Sequence, residues 1–323
     1  MLRILDYRWH QVHAYRLHAL PAEFTFVIFR PGVWKEAQRP IPENFQGAIY
    51  PVELEPSDYD VALLHLDQWC DTSNNLRALP YRLMKQITQG IPQIVIMHGT
   101  PDSATNRERM LMLIEDLPVV CNSFQAAEEW DGGEGRLDCY GLPQFKPIIH
   151  GYDVDEFWSE PLEKRNREIF TICSGGWISR EYHGIPLLER VKRDLPVVWY
   201  GPRGDRDWLP SYTEYRQMLA SSLIYFSPTR RAPMPGARTE AMLSGCCVVT
   251  VPGNDVDAFI TNDVTGYIVD GYSYTAVTLD SLLHDPEHAW KVGQAGREMA
   301  RSMFHKDRFV SDWLDVLGEV GVV

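Results

Sequence analysis

Short apolar runs such as FTFVIF (24–29), VALLHL (61–66) and CCVVTV (246–251) set the strongest limit on how this chain can fold. Each is strand-sized and apolar almost throughout, not at every second position. A strand with one wet face alternates in polarity, whereas a strand covered on both faces does not. QIVIM (93–97), PVVCN (118–122), EIFTICS (168–174), LPVVWYG (195–201) and LIYFSP (223–228) share this character, RILDY opens the chain, and TGYIVD (265–270) is a shorter run. Helical candidates separate them: NLRALPYRLMKQITQG (75–90), IPLLERVKRD (185–194) and SYTEYRQMLASS (211–222). The last fifty or so residues read as helices, ending in HKDRFVSDWLDVLGEV (305–320). This alternation predicts an α/β fold with doubly wound parallel sheets under helices.

A length of 323 residues favours two domains. The strand–helix pattern pauses at DGGEGRLDCYGLPQFK (131–146) and then restarts, which places a boundary near residue 150. The expected division is 1–150, 151–305, and a terminal helix over 306–323. Ligands of such sheets bind beyond the carboxyl ends of the strands, so the expected site is the cleft between two such domains. The formal net charge is −13, with 13 Lys/Arg against 19 Asp/Glu up to residue 150 and 18 against 25 after it. Neither half is basic, so nucleic acid is not an expected partner and membrane association is not indicated. The first residues lack the apolar core of a signal peptide, and no run is long enough to span a bilayer. The six cysteines form no C-x-x-C pair and several lie in apolar runs. Buried reduced thiols, no zinc site and a cytoplasmic setting are expected.

The segment SPTRRAPMPGARTEAMLSGCCVV (227–249) has the densest local signal. A strand ends at Phe226, and a loop with two arginines and three prolines follows. Gly236 opens a helix that runs to about Ser244, and Gly245 suits the left-handed position that ends one. Free amides at Gly236, Ala237 and Arg238 would bind an anion such as a diphosphate. Glu240 falls in the first turn or so. It can accept both hydroxyls of a ribose, or merely complement the helix dipole, an effect of about 0.3–1 kcal/mol. Local physics alone favours the dipole reading.

The block Glu-Ala-Met-x-x-Gly-x-x-Val-Val, Glu240 to Val249, resembles the signature of glycosyltransferase family 4, retaining nucleotide-sugar-dependent enzymes of the GT-B fold. Other segments resemble the same family in the same order. They are VIMHGTPD (95–102), VVCNSFQAAEEW (119–130), KPIIHGYDVDEF (146–157, with His150 in place of Asn), IFTICSGGW followed by HGIPLLERV, and NDVDAFITNDVTGYIVD (254–270, with Asp257 at the acidic position). The resemblance covers about residue 60 to the end. It implies a GT-B fold of two Rossmann-like domains. It implies that Glu240 holds the nucleotide ribose, that the preceding amides hold the diphosphate or sugar, and that His98 faces the donor sugar and the reacting centre. It reverses the local preference at Glu240.

The sequence departs from the family at several positions. A second Glu expected eight residues before Glu240 is replaced by Ala232, beside Arg230 and Arg231. Pro233 and Pro235 have no N–H, which leaves Met234 and Gly236 as donors in the donor-sugar loop. The family's basic motif after the first strand of the second domain is changed to Gly175-Gly176-Trp177, with His183-Gly184 in place of Lys-Gly. Arg180, Arg203, Arg230 or Arg231 is expected to take over the phosphate, which a guanidinium can hold bidentately. The Gly-Gly loop expected after the first strand is replaced by DYRWHQVH, which brings Arg8, His10 and His13. Arg8, His10 and His65 are weak candidates for the acceptor side, with packing or loop roles as the plainer readings. Trp9, Trp34 and Trp69 can stack on sugars or belong to the core. Cys246 and Cys247 begin a buried strand.

The expected function is retaining transfer of a sugar from a nucleotide-sugar donor to a carbohydrate, glycoconjugate or other acceptor, with no metal and no further cofactor. An inert GT-B nucleotide-binding scaffold, motivated by Ala232 and the prolines, is the main alternative, and a sugar-nucleotide epimerase is a third. A nicotinamide dehydrogenase is disfavoured, since no G-x-G-x-x-G follows the first strand.

Overall fold

The computed structural model describes residues 1–30, 32, 34–71, 76–173, 180–202 and 204–323. They form two compact units, Met1–Gly151 with Lys306–Val323, and Tyr152–His305.

The first unit is built on seven strands: β1 (Leu2–Asp6), β2 (Ala22–Val27), β3 (Phe45–Ile49), β4 (Val61–Leu66), β5 (Gln93–Met97), β6 (Val119–Cys121) and β7 (Phe145–Pro147). Their order is β3-β2-β1-β4-β5-β6-β7, and every adjacent pair is parallel. Side chains alternate across a strand, so both faces must be covered for a continuous apolar run to be stable. Leu5, Leu64, Val95 and Met97 pack on one face, against α2 (Leu79–Ile87), α3 (Ala104–Ile114) and α4 (Phe124–Asp131). Ile4, Leu63, Ile94 and Ile96 pack on the other, against α1 (Gln11–Leu17) and the C-terminal helix α10 (Lys306–Glu319). Phe309, Trp313 and Leu317 anchor α10 to that face. The Arg308 guanidinium ties its start to the carbonyls of Ile149 and His150, at 2.8 and 3.0 Å.

The helix read over 75–90 is shorter than expected. Pro80 lies at the start of α2, where a missing N–H costs nothing, and Leu76–Ala78 form a separate 3-10 turn. β3 and β7 are edge strands that the apolar pattern did not announce. Pro147 is tolerated in β7 because an edge strand has one ladder side open.

The second unit has five strands, β8 (Asn166–Ile172), β9 (Val197–Tyr200), β10 (Ser222–Ser227), β11 (Cys247–Thr250) and β12 (Tyr267–Ile268). They run parallel in the order β12-β11-β10-β8-β9. Its helices are α5 (Ile185–Asp194), α6 (Tyr212–Ser221), α7 (Gly236–Leu243), α8 (Tyr272–His284) and α9 (Pro286–Met303). Among the described residues no helix is long and apolar enough to cross a membrane. In each sheet the connections reverse direction once, between β1 and β4 in the first unit and between β8 and β10 in the second. Such switch points open a crevice at the carboxyl ends of the strands.

Candidate functional site

In the second unit the crevice is formed by the loop from β10 to α7. Its backbone is fastened to a neighbouring loop, since the amides of Arg230 and Arg231 both donate to the Tyr182 carbonyl, at 2.9 and 3.3 Å. Gly184 permits the approach: it has φ +65°, and a Cβ there would lie 1.9 Å from the Pro228 carbonyl oxygen. At its far end α7 closes in a Schellman motif. Gly245, at φ +73°, donates to Met242, and Cys246 donates to Ala241.

α7 begins at Gly236, so Glu240 is its fifth residue and lies in the second turn, not the first. The helix-dipole effect falls off within one turn, so that reading of Glu240 loses its basis. Glu240 is buried and accepts a hydrogen bond on Oε2 from the hydroxyl of Tyr215 on α6. Sequence reasoning missed Tyr215. The amide of Arg238, expected to be free, donates to the Pro235 carbonyl at 3.1 Å. Among the described residues, no protein acceptor takes the amides of Gly236 and Ala237. Two open donors therefore stand at the helix start, not three.

The Arg238 side chain turns inward. It is fully buried, its guanidinium lies 5.2 Å from the centre of the Phe259 ring, and Nη2 donates to Met234 Sδ at 3.6 Å. Nε and Nη1 have no partner among the described residues. Burial lowers its pKa to about 10, so it stays cationic near neutral pH. Met234 is buried at φ +43° between two prolines. A side-chain-bearing residue in that conformation stores strain of the kind found at functional loops. Arg230 and Arg231 are exposed beside it. Arg180 is ion-paired with Glu189 at 2.7 Å, and burial lowers the pKa of His183. Gly176 and Arg203 lie outside the described residues.

In the first unit, histidines gather where the sheet reverses. Asp6 ends β1, His65 lies near the end of β4, and His98 follows β5. Parallel register pairs Leu5 with Ala62 and His65 with Ile96, so the three side chains step by two residues from strand to strand and share one face. His65 Nε2 lies 2.6 Å from Asp6 Oδ1, and His65 Nδ1 lies 2.9 Å from His98 Nε2. The Tyr7 hydroxyl pins the arrangement, accepting from the His65 amide at 2.7 Å and donating to the His65 carbonyl at 2.9 Å. The His98 amide donates to the Leu66 carbonyl at 2.8 Å. A carboxylate only accepts, so His65 carries its proton on Nε2 and a neutral His65 accepts on Nδ1. With His65 neutral, His98 donates from Nε2, which leaves a lone pair on its Nδ1. Asp6 and Tyr7 were not singled out in the sequence, whereas His65 and His98 were.

Three more imidazoles crowd this end. The rings of His10 and His13 lie 5.1 and 4.9 Å from His98, and His150 lies 5.4 Å from His13. Arg16 donates to His150 Nδ1 at 2.5 Å. Among the described residues, no three His, Cys, Asp or Glu side chains are placed to hold a metal ion. His10 stands at the N-cap position of α1 without a side-chain capping bond, and Arg8 precedes it on the β1–α1 loop.

Burial, followed by the charge of neighbouring histidines, holds His98 and His13 well below the usual histidine range. Burial lowers His18 to about 4. Below the unfolded-state value of about 6.5, the denatured chain takes up protons that these rings refuse, so the native state loses stability as pH falls. Each ring contributes up to about 1.4 kcal/mol per pH unit until its native pKa is reached, and nothing above about pH 6.5. Urea unfolding of the first unit is therefore expected to shift to lower midpoint between pH 7 and 5, less steeply in His13→Asn. A midpoint flat across that range would contradict the assignment.

Residues 207–299, which hold α6, β10, α7 and β11, match the family model described as glycosyl transferases, group 1. No curated protein matches the sequence. Several solved structures match the fold. HepE of Anabaena in complex with UDP-glucose superposes with a TM-score of 0.73 at 13% identity, over 98% of this chain and 100% of that one. Sucrose-phosphate synthase from Thermosynechococcus elongatus gives 0.68 at 14% identity, over 99% of each chain. A glycosyltransferase from Rickettsia africae gives 0.65 at 13% identity, over 99% and 98%. The fold is GT-B. The group 1 match falls on the GT-B unit that carries the open helix start and the buried Glu240.

Proposed function

We propose that this chain transfers a sugar from a nucleoside diphosphate sugar to an acceptor hydroxyl, with retention at the anomeric carbon. The observation that carries the reading is the helix start of α7: two open amides, with a buried carboxylate in the next turn, inside the group 1 match. The ribose diol binds Glu240 and displaces the Tyr215 hydroxyl, a donor of the same chemistry. The diphosphate binds Gly236 and Ala237, with Arg230 and Arg231 adding cationic charge at the exposed edge. HepE was solved with UDP and with UDP-glucose, which supports a uridine nucleotide as the first donor to test.

In the reaction the acceptor oxygen forms its bond to the anomeric carbon on the face from which the diphosphate departs. The bond from that carbon to the phosphate oxygen breaks, and the departing phosphate takes the acceptor proton. The amides and arginines stabilise the charge that develops on the leaving group, so no metal is assigned a role. His98 accepts a hydrogen bond on Nδ1 from a hydroxyl of the transferred sugar.

Thermal unfolding with UDP, GDP, ADP, CMP and dTDP, with and without magnesium, tests this. One nucleotide is expected to raise the midpoint by several degrees without magnesium, since saturation at about 100 times Kd adds roughly 2.7 kcal/mol. No shift with any nucleotide would sink the proposal. A shift with no turnover of any matching sugar donor would reduce the protein to a nucleotide-binding scaffold. Conversion of the donor to an isomer without acceptor would make it an epimerase.

A further inference from the structure

A cavity of about 410 Å³ opens in the first unit at the carboxyl ends of β1 and β2, between the β1–α1 loop and the start of α2. That volume lies in the range of small-molecule sites. Its polar wall is one-sided. Arg8, Arg30 and Arg77 line it, and among the described residues no Asp or Glu does. Arg77 is already ion-paired with Asp67. Arg8 and Arg30 have no carboxylate partner among the described residues, in a chain of net charge −13.

The two free arginines are held side by side. Arg30 Nη2 donates to the carbonyl of Arg8 at 3.1 Å. Burial and the charge of Arg30 both lower the Arg8 pKa, the mark of a cation lacking a counter-charge. Two N–H donors on this wall, Arg8 Nη1 and Trp9 Nε1, are buried without any acceptor among the described residues. A buried donor without an acceptor is costly, so such groups are normally satisfied. A ligand that suits these donors and the two guanidinium charges is rich in acceptor oxygens and negatively charged. The cavity also adjoins His98: the Trp9 ring stacks on it at 6.3 Å and 15°, and His10 meets it at 5.1 Å.

We propose that this cavity binds the acceptor, and that the acceptor carries an anionic group, phosphate or carboxylate, held by Arg8 and Arg30 with Trp9 Nε1 as a further donor. The acceptor role rests on the transfer reading above; the preference for an anion does not. An uncharged sugar would leave two arginines uncompensated, so it binds poorly.

The test is isothermal titration of the full chain at fixed ionic strength with glucose 6-phosphate, glucuronate, inorganic phosphate and glucose, and separately with UDP. At least one anionic sugar is expected to bind ten times or more tighter than glucose. Comparing glucose 6-phosphate with glucuronate tells phosphate from carboxylate. Arg30→Ala, at an exposed position that leaves the fold intact, and Arg8→Gln are each expected to weaken that binding roughly tenfold or more, with UDP affinity unchanged. Anions binding no better than glucose, or binding unaltered in both variants, would overturn the proposal even if UDP binds. Anion binding that depends on Arg8 and Arg30, in a protein that binds no nucleotide, would uphold the cavity's specificity and remove the transfer reading instead.

Discussion

Glu240→Ala is expected to weaken binding of the preferred nucleoside diphosphate by roughly 10²–10³-fold. A carboxylate that accepts two ribose hydroxyls makes two charge-assisted hydrogen bonds, each worth about 1.5–3 kcal/mol, and every 1.4 kcal/mol is a factor of ten. The Tyr215 hydroxyl already occupies Oε2, so the ribose must displace it and the net effect lies toward the lower end. That competition gives a second expectation of opposite sign. Tyr215→Phe removes the competitor and is expected to leave nucleotide affinity unchanged or raise it a few-fold. Glu240→Gln keeps the shape and one acceptor oxygen, and should fall between wild type and Ala. Tyr215 is only half-buried, so in Glu240→Ala its hydroxyl can turn to water and folding should survive. Titration calorimetry on the three variants checks the set. If Glu240→Ala binds within threefold of wild type, the carboxylate is structural and the ribose lies elsewhere.

These contacts were unevenly legible in the sequence. The buried strands announce themselves because both faces need apolar side chains, so VALLHL and QIVIM could only be interior. The edge strand FQGAI has one neighbour and a partly exposed face, so it carries no such constraint. The β7 strand hides in a glycine-rich stretch that reads as a linker. At α7 the glycine, the carboxylate and the closing glycine are local features, and the sequence shows them. The bond from Tyr215 is not local: 25 residues separate it from Glu240, and nothing on α6 marks which side chain reaches across. The fate of the Arg238 amide turns on a single residue of helix register, finer than apolar spacing resolves. Asp6 was invisible for a further reason. A strand-terminal aspartate gains meaning only when parallel pairing brings it to the same face as residues 59 and 92 positions later.

Asp6→Asn is expected to slow sugar transfer roughly 10²-fold while nucleotide affinity stays within twofold of wild type. The carboxylate of Asp6 can only accept, and with His65 neutral that fixes the direction of both hydrogen bonds through His65 to His98. Asn has nearly the same shape but can present its NH₂ to His65 Nε2. The chain of bonds then reverses, and His98 carries its proton on Nδ1, where it can no longer accept from a sugar hydroxyl. Where an aspartate sets the tautomer of an imidazole that moves protons, the amide costs about 10⁴. His98 is assigned the orientation of a hydroxyl, not proton transfer, so a smaller loss is expected. His98→Ala should cost about as much, and Asp6→Asn should cost little more on top of it, because both remove the same contact. Nitrogen-15 spectra of the histidines report the tautomer without any substrate, so they separate this relay from a merely structural ion pair. Wild-type His98 should be protonated on Nε2 and the Asp6→Asn protein on Nδ1. If wild type already carries the Nδ1 proton, or if Asp6→Asn transfers sugar within threefold of wild type, Asp6 and His65 serve only to hold the strand ends together.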